Sequence, residues 1–259
     1  MANFAVFRRV SFLRWMGSIA LIAGVTTGIC NIRLYAQQTS TQQLEQNKHA
    51  GTSWQIETYV QGGTPPPGYQ FAYTTEQYLN VSLDFFSAGF VLGKEAPRWR
   101  GPLHATGRAE ALIEVTPFWL AHYPAQTLTI MANGKPDPAT FPFKVPASNY
   151  YGASVTPFLI RWNFTKKNTQ KVVPWLQFGG GLLWTDHKFP ESFYPLPSGN
   201  TSVINFTPQV GAGVNLFRNT RHSADLAVKF IHISSAGLGN SNPGIDYTIQ
   251  LAAGYSWWK

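Results

Sequence analysis

From position 53 onward, apolar and polar residues alternate with a period of two, and helical spacing is scarce. The pattern predicts eight strands, at roughly 53–62, 78–92, 104–121, 149–164, 172–188, 202–217, 221–234 and 245–258. In the sixth, Ile204, Phe206, Val210, Ala212, Val214 and Leu216 share one face, and Asn205, Thr207, Gln209, Gly211, Gly213 and Asn215 the other. In the third, Ala111, Ile113, Val115 and Trp119 oppose Arg108, Glu110, Glu114 and Thr116. In the eighth, Tyr247, Ile249, Leu251, Ala253, Tyr255 and Trp257 oppose Thr248, Gln250, Gly254 and Ser256.

A soluble sandwich alternates in the same way, so period alone does not choose the architecture. Strand length does more, because about 9–11 tilted residues span a bilayer. The polar faces are small or uncharged, with a few charges to pair inside: Glu57, Asp84, Arg108, Glu110, Glu114, Asp225 and Lys229. Trp54, Trp119, Trp162, Trp184, Trp257 and Trp258 fall at strand ends, as interfacial girdles do. Connections after the first, third and fifth strands are long (63–77, 122–148, 189–201), and those after the second, fourth and sixth are shorter. The expected fold is therefore all-β, an eight-stranded antiparallel transmembrane β-barrel, with short turns in the periplasm and long loops outside.

Composition fits this reading. The 259 residues are 15% aromatic and only 12% charged, against about 25% in typical soluble domains. A basic stretch (Arg8, Arg9, Arg14) precedes an apolar run over 16–29, so residues 1–36 read as a signal peptide, ending at Ala36. Residues 37–52 are polar and Gln-rich and read as a flexible lead-in, leaving 53–259 as the barrel. No run of about 18 apolar residues follows the leader, so no transmembrane helix is predicted. Four of the 20 basic residues lie in the leader, which has no acid, so the rest carries 16 basic against 12 acidic residues. That mild excess suits anionic phosphate groups but not the concentrated basic face of a nucleic-acid binder. The single cysteine, Cys30, sits in the leader, which removes disulfides, a Cys nucleophile and thiolate metal sites from the exported part. His104, His122, His187 and His222 lack ligand spacing, and neither a metal nor a cofactor is expected. Glu110 and Glu114 share the interior face and read as lumen ion pairs with Arg108 or Lys229 rather than as a catalytic acid pair.

The chemistry-bearing stretch is KFIHISSAGLGNSNPGIDY, 229–247. On the seventh strand Leu226, Val228, Phe230, His232 and Ser234 share one face, and Asp225, Ala227 and Lys229 the other. His232 and Ser234 thus lie side by side on the outer, lipid-facing wall near the outer rim, as a base and its nucleophile must. Polar residues placed there are costly and usually functional.

The segment HISSAGLGNSNPGID resembles the active-site segment of the PagL family, the lipid A 3-O-deacylases of the Gram-negative outer membrane. YGASVTPFLIRWNF (151–164) is similar to that family's fourth strand. The resemblance implies an exported barrel in which His232, Ser234 and Asp246 form a Ser-His-acid triad and hydrolyse the 3-O-linked hydroxyacyl ester of lipid A. It further implies an oxyanion site in the turn, to which Ser235, Gly237 and Asn242 are assigned. The family's carboxylate is usually Glu, here Asp246, and its residue after the nucleophile is usually Asn, here Ser235. Strand period puts Asp246 in phase with inward Thr248 and Gln250, so a bulge or bend after Gly244 is needed to bring it to His232. Lipid A or lipopolysaccharide in the outer leaflet is the implied partner, with Lys144 or Lys188 near its phosphates. A homodimer is left open. The competing readings are a non-catalytic barrel acting as adhesin or structural protein, and a lipid acyltransferase barrel, which would need an acyl-holding interior.

Overall fold

Alternating side chains commit eight long strands to one closed sheet. The computed structural model describes residues 54–66, 70–72, 77–96, 107–165, 170–190, 202–238 and 244–259. The expected signal peptide and lead-in lie outside the described residues. The barrel strands are β1 (Trp54–Thr64), β2 (Asp84–Ala96), β3 (Arg108–Tyr123), β4 (Ser148–Asn163), β5 (Val172–Phe189), β6 (Gln209–Asn219), β7 (His222–Ile233) and β8 (Ile245–Trp258). Each pairs antiparallel with the next. β8 closes back onto β1, with Gln55 opposite Trp258. The ring has no free edge, as a sheet in lipid requires. β7 shows its two faces: Leu226, Val228 and Phe230 are exposed on the outer wall, while Asp225, Ala227 and Lys229 are buried inside.

The interior has two halves. Towards the short turns it is polar and ionic. The Arg161 guanidinium stacks on the Trp175 ring, 4.3 Å from its centroid, and lies 3.2 Å from Glu57 and 3.9 Å from Asp225. Trp175 donates its indole N–H to Asp225 at 2.8 Å. Lys229 donates to Glu114 at 2.6 Å, the lumen pair expected from the sequence. Arg108 pairs instead with Glu95, at 2.9 Å, and Asp84 is exposed rather than inside.

Towards the long connections the lumen is mainly apolar. Trp119, Tyr123, Tyr150, Leu183, Phe189, Ile231, Ile233 and Ile245 from the strands pack into one cluster with Leu79, Val81, Leu83, Leu128 and Ile130 from the connections. Those connections carry their own β-structure. Gln77–Asn80 pairs with Gln70–Ala72 and with Ile130–Ala132, which continues to Lys135–Pro136. Gln126–Leu128 pairs with Phe143–Val145. The predicted second strand, 78–92, is therefore two elements, and its first part belongs to this cap.

Three Thr-Pro steps shape the wall. At Pro117-Phe118 and Pro157-Phe158, both residues of each pair are exposed, and the register shifts by one residue. Proline cannot donate to a ladder, so it sits well at a bulge. The first bulge reverses the phase of β3, and this corrects the expectation that Trp119 faces outward: it is buried. The girdle is likewise smaller than predicted. Trp54, Trp184 and Trp257 are exposed, but Trp119, Trp162 and Trp258 are buried, and Trp258 donates to the Ser223 hydroxyl at 3.0 Å.

Candidate active site

β7 delivers His232 to the long-connection end of the barrel, and the ladder carries its phase two residues further. The His232 N–H donates to the Pro208 carbonyl at 2.9 Å. Ser234 and Phe206 then exchange both main-chain bonds, at 3.1 and 2.6 Å. Directly opposed residues point to the same face, so Ser234 shares the outer face with Phe206, which is itself exposed. The third Thr-Pro step intervenes here: Pro208 has no N–H to return to the His232 carbonyl.

The outer placement of His232 and Ser234 follows the strand period, but their exposure differs from the expectation of an open, lipid-facing pair. His232 is half-buried, and Ser234 is only 8% exposed. Behind them, the inward-facing residues of the same stretch, Ile231, Ile233 and Ile245, belong to the apolar cluster that fills the mouth.

Asp246 reaches His232 because β8 bulges. Ile231 opposes Thr248, whereas Ile233 opposes Ile245, so between these pairs one residue on β7, His232, faces two on β8, Asp246 and Tyr247. The extra residue places Asp246 and Tyr247 side by side on the outside, both exposed. Strict alternation would have buried Asp246 with Thr248 and Gln250. The contact made is not through the carboxylate, however: His232 Nδ1 lies 2.9 Å from the main-chain oxygen of Asp246. A carbonyl only accepts, so Nδ1 is the donor, and in the neutral ring Nε2 keeps its lone pair. That is the tautomer in which an imidazole can take a proton from a hydroxyl.

The chain then turns. Ser235 is buried. Ala236 and Gly237 both adopt left-handed backbone, with φ of 49° and 82°, and the Leu238 N–H donates to the Ser235 carbonyl at 3.0 Å. A non-glycine residue in this region is uncommon, and such conformations cluster at functional sites. Asn242 lies outside the described residues. Lys144 and Lys188 are exposed at this same end of the barrel. Glu110 and Glu114 take no part: both are buried in the lumen, Glu114 against Lys229 and Glu110 opposite Arg161. Sequence reasoning missed Phe206, Pro208 and Tyr247 as neighbours of the pair. The recurring Thr-Pro step was the signal available for Pro208.

A family model described as lipid A 3-O-deacylase (PagL) matches residues 98–256, a span that includes His232, Ser234 and Asp246. No curated protein matches the chain by sequence. Among solved structures, the chain is similar to the crystal structure of the outer membrane enzyme PagL, at 16% identity and a TM-score of 0.43, over 78% of this chain and 97% of that one. It is also similar to the crystal structure of the outer membrane protein OprG from Pseudomonas aeruginosa, at 11% identity and a TM-score of 0.44, over 82% and 98%.

Proposed function

The chain belongs to the lipid A 3-O-deacylase (PagL) family, and from that premise we propose that it is an outer-membrane serine hydrolase that removes the 3-O-linked acyl chain of lipid A. Ser234 is the nucleophile. His232 Nε2 takes the Ser234 proton as Oγ attacks the ester carbonyl, and the Nδ1–H bond to Asp246 holds the ring in register and steadies the imidazolium. The N–H groups of the turn at Ser235 to Gly237, with Asn242, receive the developing oxyanion; one such donor typically contributes about 3 kcal/mol. As the intermediate collapses, the imidazolium protonates the departing 3-oxygen, which leaves as the free 3-hydroxyl, and an acyl-serine remains. Water, deprotonated by the same nitrogen, releases the fatty acid and restores Ser234.

The observation that supports this reading best is the contact between His232 Nδ1 and the Asp246 main-chain oxygen. The Nδ1 bond to a pure acceptor leaves Nε2 as the base, on a strand whose next outward residue is a serine. Placement on the outer wall suits an ester that stays in the leaflet, and the exposed Lys144 and Lys188 stand at the end where its phosphates lie.

The test is mass spectrometry of lipid A from cells making the wild type or Ser234→Ala. Loss of one hydroxyacyl chain with the wild type alone is expected. Identical lipid A from both would sink the proposal and favour a non-catalytic barrel.

A further inference from the structure

Charge is unevenly distributed between the two ends of the barrel. The short-turn end exposes Lys94 on β2, Lys171 ahead of β5, Arg218 on β6, Arg221 ahead of β7 and Lys259 after β8. Among the described residues there, no exposed side chain is acidic: Glu57, Glu95, Glu110 and Asp225 are all buried in the lumen, Glu95 ion-paired with Arg108. In the sequence, neither 97–107 nor 164–171 adds an acid. The long-connection end is mixed, with Asp84, Asp186 and Asp246 exposed beside Lys135, Lys144 and Lys188. The mild basic excess of the chain is therefore gathered at one end.

The same end marks a membrane boundary. Trp54 and Trp257 are 55% and 42% exposed on the outer wall, as interfacial aromatics are. The Lys94 ammonium lies 5.2 Å from the centroid of the Trp54 ring. Five cations spread over strands β2, β5, β6, β7 and β8 thus stand where hydrocarbon gives way to headgroups. A barrel's apolar band is about 25 Å tall, so these cations are out of reach of the phosphates in the leaflet that holds His232 and Ser234.

We propose that this ring of cations binds the anionic headgroups of phospholipids in the leaflet at the short-turn end. Such attraction acts within about 8 Å at physiological ionic strength, which exposed side chains at the headgroup level satisfy. Arg218 and Arg221 add forked donors that match phosphate oxygens. The contact fixes the depth of the barrel, and with it the depth of His232 and Ser234 in the opposite leaflet.

The experiment uses the full chain folded in micelles, with native mass spectrometry counting retained phosphatidylglycerol against phosphatidylcholine of the same acyl chains. The wild type is expected to prefer phosphatidylglycerol by about tenfold or more, since several surface cations each attract an anionic lipid. The combined Lys94→Gln, Arg218→Gln, Arg221→Gln and Lys259→Gln variant, its fold checked by heat-modifiable gel mobility, is expected to fall to near parity. Should that variant not fold, a salt titration of the wild type decides: the preference must collapse as the screening length shrinks to about 3 Å near 1 M salt. A preference that survives the substitutions or the salt, or that never appears in the wild type, overturns the proposal. So does loss of the preference to inorganic phosphate at constant ionic strength, which would reveal a free-phosphate site instead.

Discussion

Replacing Asp246 by Asn separates two ways of orienting the His232 imidazole for the proposed hydrolysis. In a triad whose acid grips Nδ1 through its carboxylate, removing that charge lowers kcat by about 10⁴. In this barrel the acceptor is the Asp246 main-chain oxygen, 2.9 Å from Nδ1, and that bond survives any change of side chain. What Asp246→Asn removes is the attraction of an exposed carboxylate for the imidazolium. Across about 5 Å of water-like surroundings that is close to 1 kcal/mol, or roughly fivefold in kcat. Deleting Asp246 is another matter. It takes out the extra residue of the bulge, returns β8 to strict alternation and moves the accepting carbonyl away from His232. The assay is release of hydroxy fatty acid from lipopolysaccharide in micelles. Asp246→Asn should stay within about tenfold of wild type, and the deletion should fall to the Ser234→Ala background while the barrel still folds. A loss of about 10³ or more in folded Asp246→Asn would refute the main-chain assignment and return the role to the carboxylate.

Two further outcomes concern the scaffold. Ile233→Ala opens a cavity directly behind His232 and Ser234, at a side chain only 1% exposed; it should lower the unfolding free energy in micelles by about 3 kcal/mol, with most of the loss recovered in Ile233→Val, and an unmoved urea midpoint would contradict it. Lys229→Met strands Glu114 in the lumen without its 2.6 Å partner and should cost about 3–5 kcal/mol, whereas Lys229→Met combined with Glu114→Gln should recover most of it, as urea midpoints would report.

The strand pattern carried the fold because the lipid-facing and lumen-facing environments differ so sharply. Over Leu226 to Lys229, where alternation ran unbroken, each side chain fell on its predicted face. What the pattern could not convey is where the chain departs from it. The bulge at Pro117-Phe118 turned Trp119 inward, and the one at Asp246-Tyr247 turned Asp246 outward. Both departures are set by pairing with a neighbouring strand, which no local period encodes. The cap was illegible for the same reason: strands of two to four residues in separate connections pair only with one another. Arg161 was missed because the faces of β4 are scrambled by its own Thr-Pro bulge. His232 and Ser234 stood out because polar residues interrupt an otherwise apolar face. Their support, the carbonyl of Asp246, is a main-chain atom and leaves no trace in residue identity.

The apolar cluster in the mouth of the barrel also decides how this protein behaves electrically. Among the described residues, the charged half of the lumen gives way to packed rings and aliphatic side chains, Phe85, Trp119, Phe189 and Ile245 among them. An ion crossing that layer would shed its water with nothing to replace it, at a penalty of many kcal/mol. A barrel closed in this way is expected to pass no measurable single-channel current in a planar bilayer.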